Sequence, residues 1–188
     1  MALRCDHKRD VVVIGAGVIG SAVAYFLARR KIRVTVLEAG GVAAGSSGAC
    51  DGLVFMQSKK PGVHLRLALE SLALFAELQA ALPVPIEFVQ RGGMIVIETG
   101  AEMAAMRRFT DRQREIGLDV SLMDGERARR MEPGLSDHIL GATHSPLDGQ
   151  VNPIALTRGF AEGARALGAE VVTHAPVEGM ILSGGRVA

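Results

Sequence analysis

Hydrophobic and polar positions change their spacing twice within the first forty residues of the chain. An apolar run, Val11 to Ile14, predicts a β-strand over about residues 10–15 and leads into a glycine-rich turn. Apolar positions then recur at helical spacing over about 17–30, and a second apolar run, Ile32 to Leu37, predicts another strand. This order predicts a unit of two parallel strands joined by a crossover helix.

Three glycines follow the first predicted strand with the spacing G-x-G-x-x-G: Gly15, Gly17 and Gly20. In a dinucleotide-binding unit the first glycine permits the tight turn, the second lets a pyrophosphate approach the backbone, and the third lets the helix pack closely. We expect the N–H groups around Val18, Ile19 and Gly20 to face the phosphates, whose charge the helix dipole favours. The alternative is a glycine-rich turn in another kind of α/β unit.

The second predicted strand ends at Glu38. A carboxylate at this position can accept hydrogen bonds from the ribose hydroxyls of an adenine dinucleotide. It would repel a 2′-phosphate, so NADP is disfavoured. Lys31, in the turn before this strand, stands where such units often have glycine. Because a non-glycine residue in the left-handed conformation costs about 1–2 kcal/mol, we expect this turn to be built differently.

Residues 39–52 are small, polar and rich in glycine. They read either as a flexible linker or as a loop that contacts a cofactor. The second interpretation is favoured because the loop follows the carboxyl end of a strand, where ligands bind in open α/β sheets. Ser46 and Ser47 would supply hydroxyl and N–H donors there.

The pattern changes after residue 60. A long helix over 63–82, with an apolar stripe of leucines and Phe75, is followed by short strands and charged helices. We predict strands near 86–89, 94–97, 119–123 and 139–143 and helices near 101–116 and 124–131. This order favours an α+β insertion with antiparallel strands.

The α/β pattern resumes after residue 150. Asn152 and Pro153 suit the N-cap and first position of a helix over 153–167. Strands are predicted at 171–173 and 176–182, and a hairpin turn at 184–186. Since the return arm of that hairpin stops at Ala188, we expect part of a longer polypeptide, or a subunit that pairs with another segment.

Composition narrows the function classes. The 188 residues, 48% hydrophobic, allow a proper core, and the net charge is only +1. With 4% aromatic residues and no Trp, nothing suggests nucleic acid binding. Cys5, in an N-terminal tail over 1–9, and Cys50 indicate neither a disulfide framework nor a zinc site, and no metal ligands are predicted. No apolar run reaches the roughly 18 residues of a membrane span, and a reducing cytoplasm is favoured.

Several motifs occur in an order that matches a known family. They are the glycine motif, Glu38, the Ser46–Gly52 loop, Arg91-Gly92-Gly93-Met94, Met131-Glu132-Pro133 and Leu147-Asp148-Gly149-Gln150-Val151-Asn152-Pro153. Together they resemble the FAD-dependent D-amino-acid oxidase superfamily. The subgroup of glycine oxidase, D-amino-acid dehydrogenase, sarcosine oxidase β-subunit-like and opine oxidase-like proteins is the most similar.

The resemblance implies a Rossmann-like FAD-binding domain with a parallel sheet, interrupted by an α+β substrate domain with antiparallel strands. The FAD domain would be discontinuous and incomplete, over 1–84 and 146–188, with 85–145 forming part of the substrate domain. Such enzymes oxidise the C–N bond of an amino acid or secondary amine by hydride transfer to the flavin. Oxygen or a separate electron acceptor then reoxidises the flavin.

The resemblance also assigns the cofactor-binding residues. The pyrophosphate would be held at Gly15, Gly17, Val18, Ile19 and Gly20. The adenosine ribose would bind Glu38, with Ala39 beside it, and Val177 falls where the family offers backbone hydrogen bonds to adenine. The phosphate-to-flavin side would be lined by Ser46, Ser47, Asp51, Gly52 and Leu53.

The chain departs from the family pattern in places. Ala39 stands where many relatives have a basic residue, and no covalent flavin attachment site is matched, so Cys50 is interpreted as a small buried residue. The family has about as much chain again, which would bring the arginine and tyrosine that grip a substrate carboxylate. No catalytic residue is therefore named, and the chain by itself is expected to retain FAD weakly and to be inactive.

Two other functions stay open. One is an NAD-dependent dehydrogenase, which would use the same first strand–helix–strand unit. The other is a non-catalytic fragment or subunit. Partners would be an amino-acid or amine substrate, the electron acceptor, and another subunit or the missing C-terminal half. A peripheral position at the inner membrane face is the alternative to the cytoplasm if the enzyme is coupled to respiration.

Overall fold

The computed structural model describes residues 11–184 and 186–187. Its helices are α1 Val18–Arg29, α2 Val63–Ala81, α3 Gly100–Glu115, α4 Gly125–Met131 and α5 Pro153–Ala166. Its strands are β1 Val11–Ile14, β2 Val34–Leu37, β3 Leu53–Val54, β4 Gly93–Ile97, β5 Ser121–Asp124, β6 Gly141–Ser145, β7 Gly149–Gln150, β8 Glu170–Val172, β9 Leu182–Ser183 and β10 Arg186–Val187. The predicted tail, with Cys5, lies outside the described residues.

Contacts divide the described residues into two compact units. The first unit takes those within Met1–Asp51, Ala81–Ile86 and Asn152–Ala188, and the second takes Gly52–Ala80 and Glu87–Val151. The predicted assignment of 1–84 and 146–188 to FAD binding, and of 85–145 to substrate binding, concerns function and stays a prediction.

The first unit contains a parallel sheet in the order β1-β2-β8. Val11 pairs with Val34 at one end of β1, and Ile14 pairs with Leu37 at the other. The predicted crossover unit is therefore confirmed, with α1 as its helix. β8 joins the other side of β2 in parallel, which returns the chain to the same sheet.

The helices α1 and α5 pack closely in this unit because small residues line their contact. A Cβ on Gly163 would lie 2.9 Å from two atoms of the Tyr25 ring. The rings of Tyr25 and Phe160 are 5.6 Å apart between centroids, a distance typical of favourable aromatic pairs. Ala24 and Ala164 are fully buried. This packing fixes α1, and with it the start of α1, against the rest of the unit.

The second unit contains a sheet in the order β4-β6-β5, and its strands are antiparallel, as the sequence predicts. α4 covers part of it, with Ala128, Met123, Ile139 and Ala142 in a buried cluster. The helix α3 begins with a capping box, in which Thr99 and Glu102 exchange side-chain and backbone hydrogen bonds. The Rossmann-like parallel sheet with an inserted antiparallel α+β layer is thus confirmed.

Some predicted elements differ in the structure. The strand expected at 86–89 is reduced to a single bridge between Val89 and Gln150. Two short strands that the sequence does not predict, β3 and β7, pair antiparallel in the second unit. The α2 stripe is buried at Leu65 and Leu78 but exposed at Leu67 and Leu74.

The strand predicted over 176–182 is wrong for most of its length. Residues 175–181 carry no regular structure, and β9 begins at Leu182. The apolar side chains of this segment are exposed at Val177, Met180 and Ile181. Among the described residues, no apolar surface covers them, so the apolar pattern alone does not produce a strand. The hairpin prediction is confirmed, since Ser183 pairs with Arg186.

The turn after α1 is another correction. Lys31 itself adopts a left-handed conformation, with φ of 61°. Its N–H donates to the Ala28 carbonyl at 2.8 Å, and the Ile32 N–H donates to the Leu27 carbonyl at 3.1 Å. These are the two hydrogen bonds of a Schellman motif. The turn is therefore built in the usual way, with lysine in the place of glycine.

Among the described helices, none combines the length and the apolar character that crossing a membrane requires.

Candidate functional site

The turn between β1 and α1 is built on Gly15 and Gly20. Gly15 has a φ of 98°, in the region that favours glycine. Its N–H donates to the Leu37 carbonyl at 2.8 Å, which ties the turn to the end of β2. A Cβ on Gly20 would lie 2.0 Å from the Gly15 carbonyl oxygen and 3.3 Å from Val13 Cγ1. Both glycines therefore occupy the structural roles that their spacing predicts.

The first turn of α1 presents backbone N–H donors. Gly17 is the N-cap residue and makes no side-chain cap, and no acidic residue lies in the first turn. Ser21 donates to the Gly17 carbonyl at 2.9 Å, so the N–H groups of Val18, Ile19 and Gly20 precede the hydrogen-bond ladder of the helix. The side chain of Ile19 is 80% exposed. This helix end can hold an anion through backbone donors and the helix dipole.

Ser47 lies against this helix end. Its Oγ accepts a hydrogen bond from the Val18 N–H at 2.9 Å. A Cβ on Gly17 would lie 3.0 Å from the same Oγ, tighter than an ordinary van der Waals contact. Glycine at position 17 thus makes room for the Ser47 hydroxyl. That hydroxyl keeps its own proton for donation to a further acceptor.

Glu38 is held by backbone donors on both carboxylate oxygens. Its Oε2 accepts from the Ala16 N–H and its Oε1 from the Gly40 N–H, each at 2.7 Å. The hydrogen bond from Ala16, followed by that from Gly40, holds the pKa of Glu38 below its usual value, while burial raises it by a smaller amount. The carboxylate is therefore ionised near neutral pH. Each oxygen keeps lone-pair capacity for a hydroxyl donor.

The glycine-rich loop after β2 is compact. Ala43 donates to the Ala16 carbonyl at 3.2 Å, which joins the loop to the glycine turn. A Cβ on Gly48 would lie 2.2 Å from the Ala43 carbonyl oxygen, so the loop folds tightly on itself. The linker interpretation is not supported. Cys50 is exposed, because no described residue covers its side chain. Its interpretation as a small buried residue is therefore wrong.

The amino-acid sequence of this chain matches a known family. The family described as DAO, FAD dependent oxidoreductase, matches residues 10–188. The chain belongs to this family. Its fold is that of the FAD-dependent oxidoreductases, and FAD is the cofactor of the family, which decides between FAD and NAD in favour of FAD.

Curated relatives and solved structures agree with this placement. A glycine oxidase from Geobacillus kaustophilus is 35% identical over 170 residues, 87% of this chain and 45% of the relative. One subunit of the anaerobic glycerol-3-phosphate dehydrogenase from Escherichia coli is 27% identical over all of this chain and 34% of its own length. The solved glycine oxidase of Bacillus cereus superposes with a TM-score of 0.86 at 34% identity, over 96% of this chain and 50% of that one. The chain thus spans half or less of each relative.

The geometry of the first unit fits the FAD of the family. A dinucleotide needs anion donors for its diphosphate and an acceptor for its ribose hydroxyls. The N–H groups of Ile19 and Gly20 at the start of α1 meet the first need, and the ionised Glu38 carboxylate meets the second. The Ala16 N–H, two residues before the first residue of α1, donates to Glu38, so one short backbone segment links both parts.

The structure places the other predicted site residues in different surroundings. Ala39 is exposed beside Glu38, and Ser46 is exposed in the compact loop. Asp51 is exposed at the end of the first unit. Gly52 and Leu53 belong to the second unit, where the Gly52 carbonyl accepts from Val151 at 2.9 Å and Leu53 pairs with Gln150. The flavin role of these positions stays a prediction.

Sequence reasoning missed a segment beside Glu38. His174 donates through its N–H to the Gly40 carbonyl at 3.0 Å, and Ala175 donates to the Glu38 carbonyl at 2.8 Å. His174 has a positive φ of 56°, which turns the chain at this point. Val177, the predicted adenine contact, comes two residues after Ala175 and is exposed.

Within the described part of the chain, no group of three potential metal ligands is found.

Proposed function

We propose that this chain carries the FAD-binding part of an oxidoreductase that oxidises the C–N bond of an amino acid or secondary amine. The observation that carries the proposal is the pairing of the α1 start, where the Ile19 and Gly20 N–H groups precede the hydrogen-bond ladder, with the doubly hydrogen-bonded carboxylate of Glu38. Similarity to glycine oxidases above 30% identity supports an amine substrate.

The proposed roles of the residues follow from their chemistry. The diphosphate binds at Gly15, Gly17 and Val18 and accepts hydrogen bonds from the N–H groups of Ile19 and Gly20, since the Val18 N–H donates to Ser47 Oγ. Glu38, next to Ala39, accepts hydrogen bonds from the ribose, and Val177 offers its backbone to adenine. The remaining positions, Ser46, Ser47, Asp51, Gly52 and Leu53, line the side towards the flavin. When bound, FAD supplies the hydride acceptor, and the chain holds and orients it.

The proposal includes partners that the sequence predicts. Oxygen or an electron-transfer protein takes the electrons, and another subunit or a C-terminal half supplies the substrate-gripping residues. The proposed location is the cytoplasm, with the inner membrane face if electrons pass to respiration. A role as a non-catalytic fragment or subunit is the competing interpretation.

The test is an anaerobic titration of the natural gene product that contains these residues, after loading with FAD. We expect flavin absorbance that bleaches with glycine or sarcosine. Bleaching with glycerol 3-phosphate and with no amine would replace the amine proposal by an alcohol oxidation. A folded protein that takes up no FAD would overturn the proposal, and one that binds FAD but bleaches with no substrate would support the non-catalytic interpretation.

A further inference from the structure

A groove of about 410 Å³ runs along one face of α2 in the second unit. One wall is a helix face whose members recur at intervals of three and four residues: His64, Leu67, Ala68, Ser71, Leu72 and Phe75. The facing wall is the segment 53–56 together with Lys59. The volume lies within the range of small-molecule sites, about 300–1,000 Å³.

The walls of the groove are apolar and incompletely covered. Leu53 and Leu67, one from each wall, are 56% and 61% exposed. At the far end, Phe75 is stacked on Phe88 with 4.7 Å between ring centroids. An occupant with a hydrocarbon part would remove this apolar surface from water, which is favourable.

Buried polar groups hold the 53–59 wall in place. Asp148 Oδ1 accepts from the Met56 N–H at 2.6 Å, and Asp148 Oδ2 accepts from Gln57 Nε2 at 2.5 Å. Gln113 Nε2 donates to the carbonyls of Gln57 and Lys59, each at 2.9 Å. The side chains of Asp148, Gln57 and Gln113 are buried. A wall fixed by such a network resists collapse into the groove, as a preorganised binding site requires.

The charge at one end of the groove selects the chemistry of the occupant. Lys59 and His64 are the ionisable residues of the lining, and no acidic residue of the described chain lines the groove. Lys59 Nζ donates to Ser58 Oγ at 3.1 Å, a neutral acceptor that leaves donors for an anion. We propose that the groove binds an amphipathic monocarboxylate, with the carboxylate at Lys59 and His64 and the hydrocarbon along α2 towards Phe75. The groove shares Leu53 with the positions proposed to line the flavin side, but carboxylate binding at Lys59 and His64 is measurable without FAD.

The test uses octanoate and the full chain, with calorimetry as the measurement. We expect saturable binding of one octanoate per chain, at least fivefold tighter than binding of octanol or octylamine. Lys59→Gln is expected to weaken octanoate binding about fivefold to tenfold. The matched control is Lys60→Gln, because Lys60 is the neighbouring exposed lysine and does not line the groove. It should change binding less than twofold.

A second variant tests the location of the hydrocarbon. Ala68→Leu adds a side chain to the middle of the groove at a helix position that tolerates leucine. We expect it to reduce octanoate binding more than tenfold while the melting temperature stays within about 3 °C. Equal affinity for octanol and octanoate, or equal effects of the two lysine variants, would overturn the proposal. So would self-association that Ala68→Leu abolishes without any octanoate binding, since a second copy would then be the occupant.

Discussion

The carbonyl oxygen of Gly15 lies 2.0 Å from the position that a Cβ on Gly20 would occupy. Real Cβ atoms do not approach backbone this closely, so Gly20→Ala must displace the turn or the start of α1. We expect this change to lower the free energy of unfolding by about 2–3 kcal/mol, despite the higher helix propensity of alanine. Urea unfolding followed by circular dichroism measures it.

A matched glycine separates this clash from the general effect of adding a methyl group. A Cβ on Gly45 meets nothing within 4 Å, and its φ is not positive. Gly45→Ala is expected to change the free energy of unfolding by less than about 0.5 kcal/mol. Similar losses at positions 20 and 45 would show that the close contact with Gly15 is not the cause.

Lys31→Gly is expected to stabilise the chain. The left-handed conformation of Lys31 costs about 1–2 kcal/mol, and glycine relieves it while adding entropy to the unfolded chain. The net gain should be about 0.5–1 kcal/mol, measured as a higher melting temperature. Lys31→Ala retains the Cβ and should change little. If alanine stabilised as much as glycine, the backbone strain would not be the reason.

The sequence predicts elements whose signals are local. The first strand, α1 and the second strand are marked by contiguous apolar runs and three glycines, and their pairing follows from one crossover. β3 and β7 are two residues each and pair across a long stretch of sequence, so no local pattern marks them. The apolar pattern at 176–182 resembles a strand, but a strand also needs a partner, which pattern alone does not supply.

Part of the site was predictable for the same reason. The glycine spacing and Glu38 are visible in the sequence as residue types. The donors that fix Glu38 are instead the backbone N–H groups of Ala16 and Gly40. Every residue except proline carries such a donor, so residue identity does not reveal them. Asp148 belongs to a motif visible in the sequence, but its contacts with Met56 and Gln57 depend on the fold.

The lowered pKa of Glu38 predicts a loss of stability in acid. Because the folded state binds its proton only at lower pH than the unfolded state, the stabilisation is complete above the unfolded pKa, near 4.5. It is lost as pH falls through the lower, folded pKa. Glu38→Gln should flatten this limb of a plot of unfolding free energy against pH. The control variant is Glu70→Gln, at an exposed glutamate on α2. If both variants flattened the acid limb equally, the loss of stability in acid would not come from Glu38.

Asp148 predicts the opposite pH dependence. Burial raises the pKa of this carboxyl above 3.8, although hydrogen bonds from Gln57 and Met56 oppose the rise. The folded state therefore keeps the proton to a higher pH than the unfolded state. The contribution to stability is complete at low pH and is lost as pH rises through the folded pKa. Asp148→Asn should remove this fall, and should lower stability by about 1–3 kcal/mol because its amide replaces one acceptor by a donor. Unfolding in urea between about pH 4 and 7 measures both effects.

Asp137→Asn, at a side chain that is 98% exposed, is the control and should change stability by less than about 0.5 kcal/mol. An unchanged slope in Asp148→Asn would show that another group titrates.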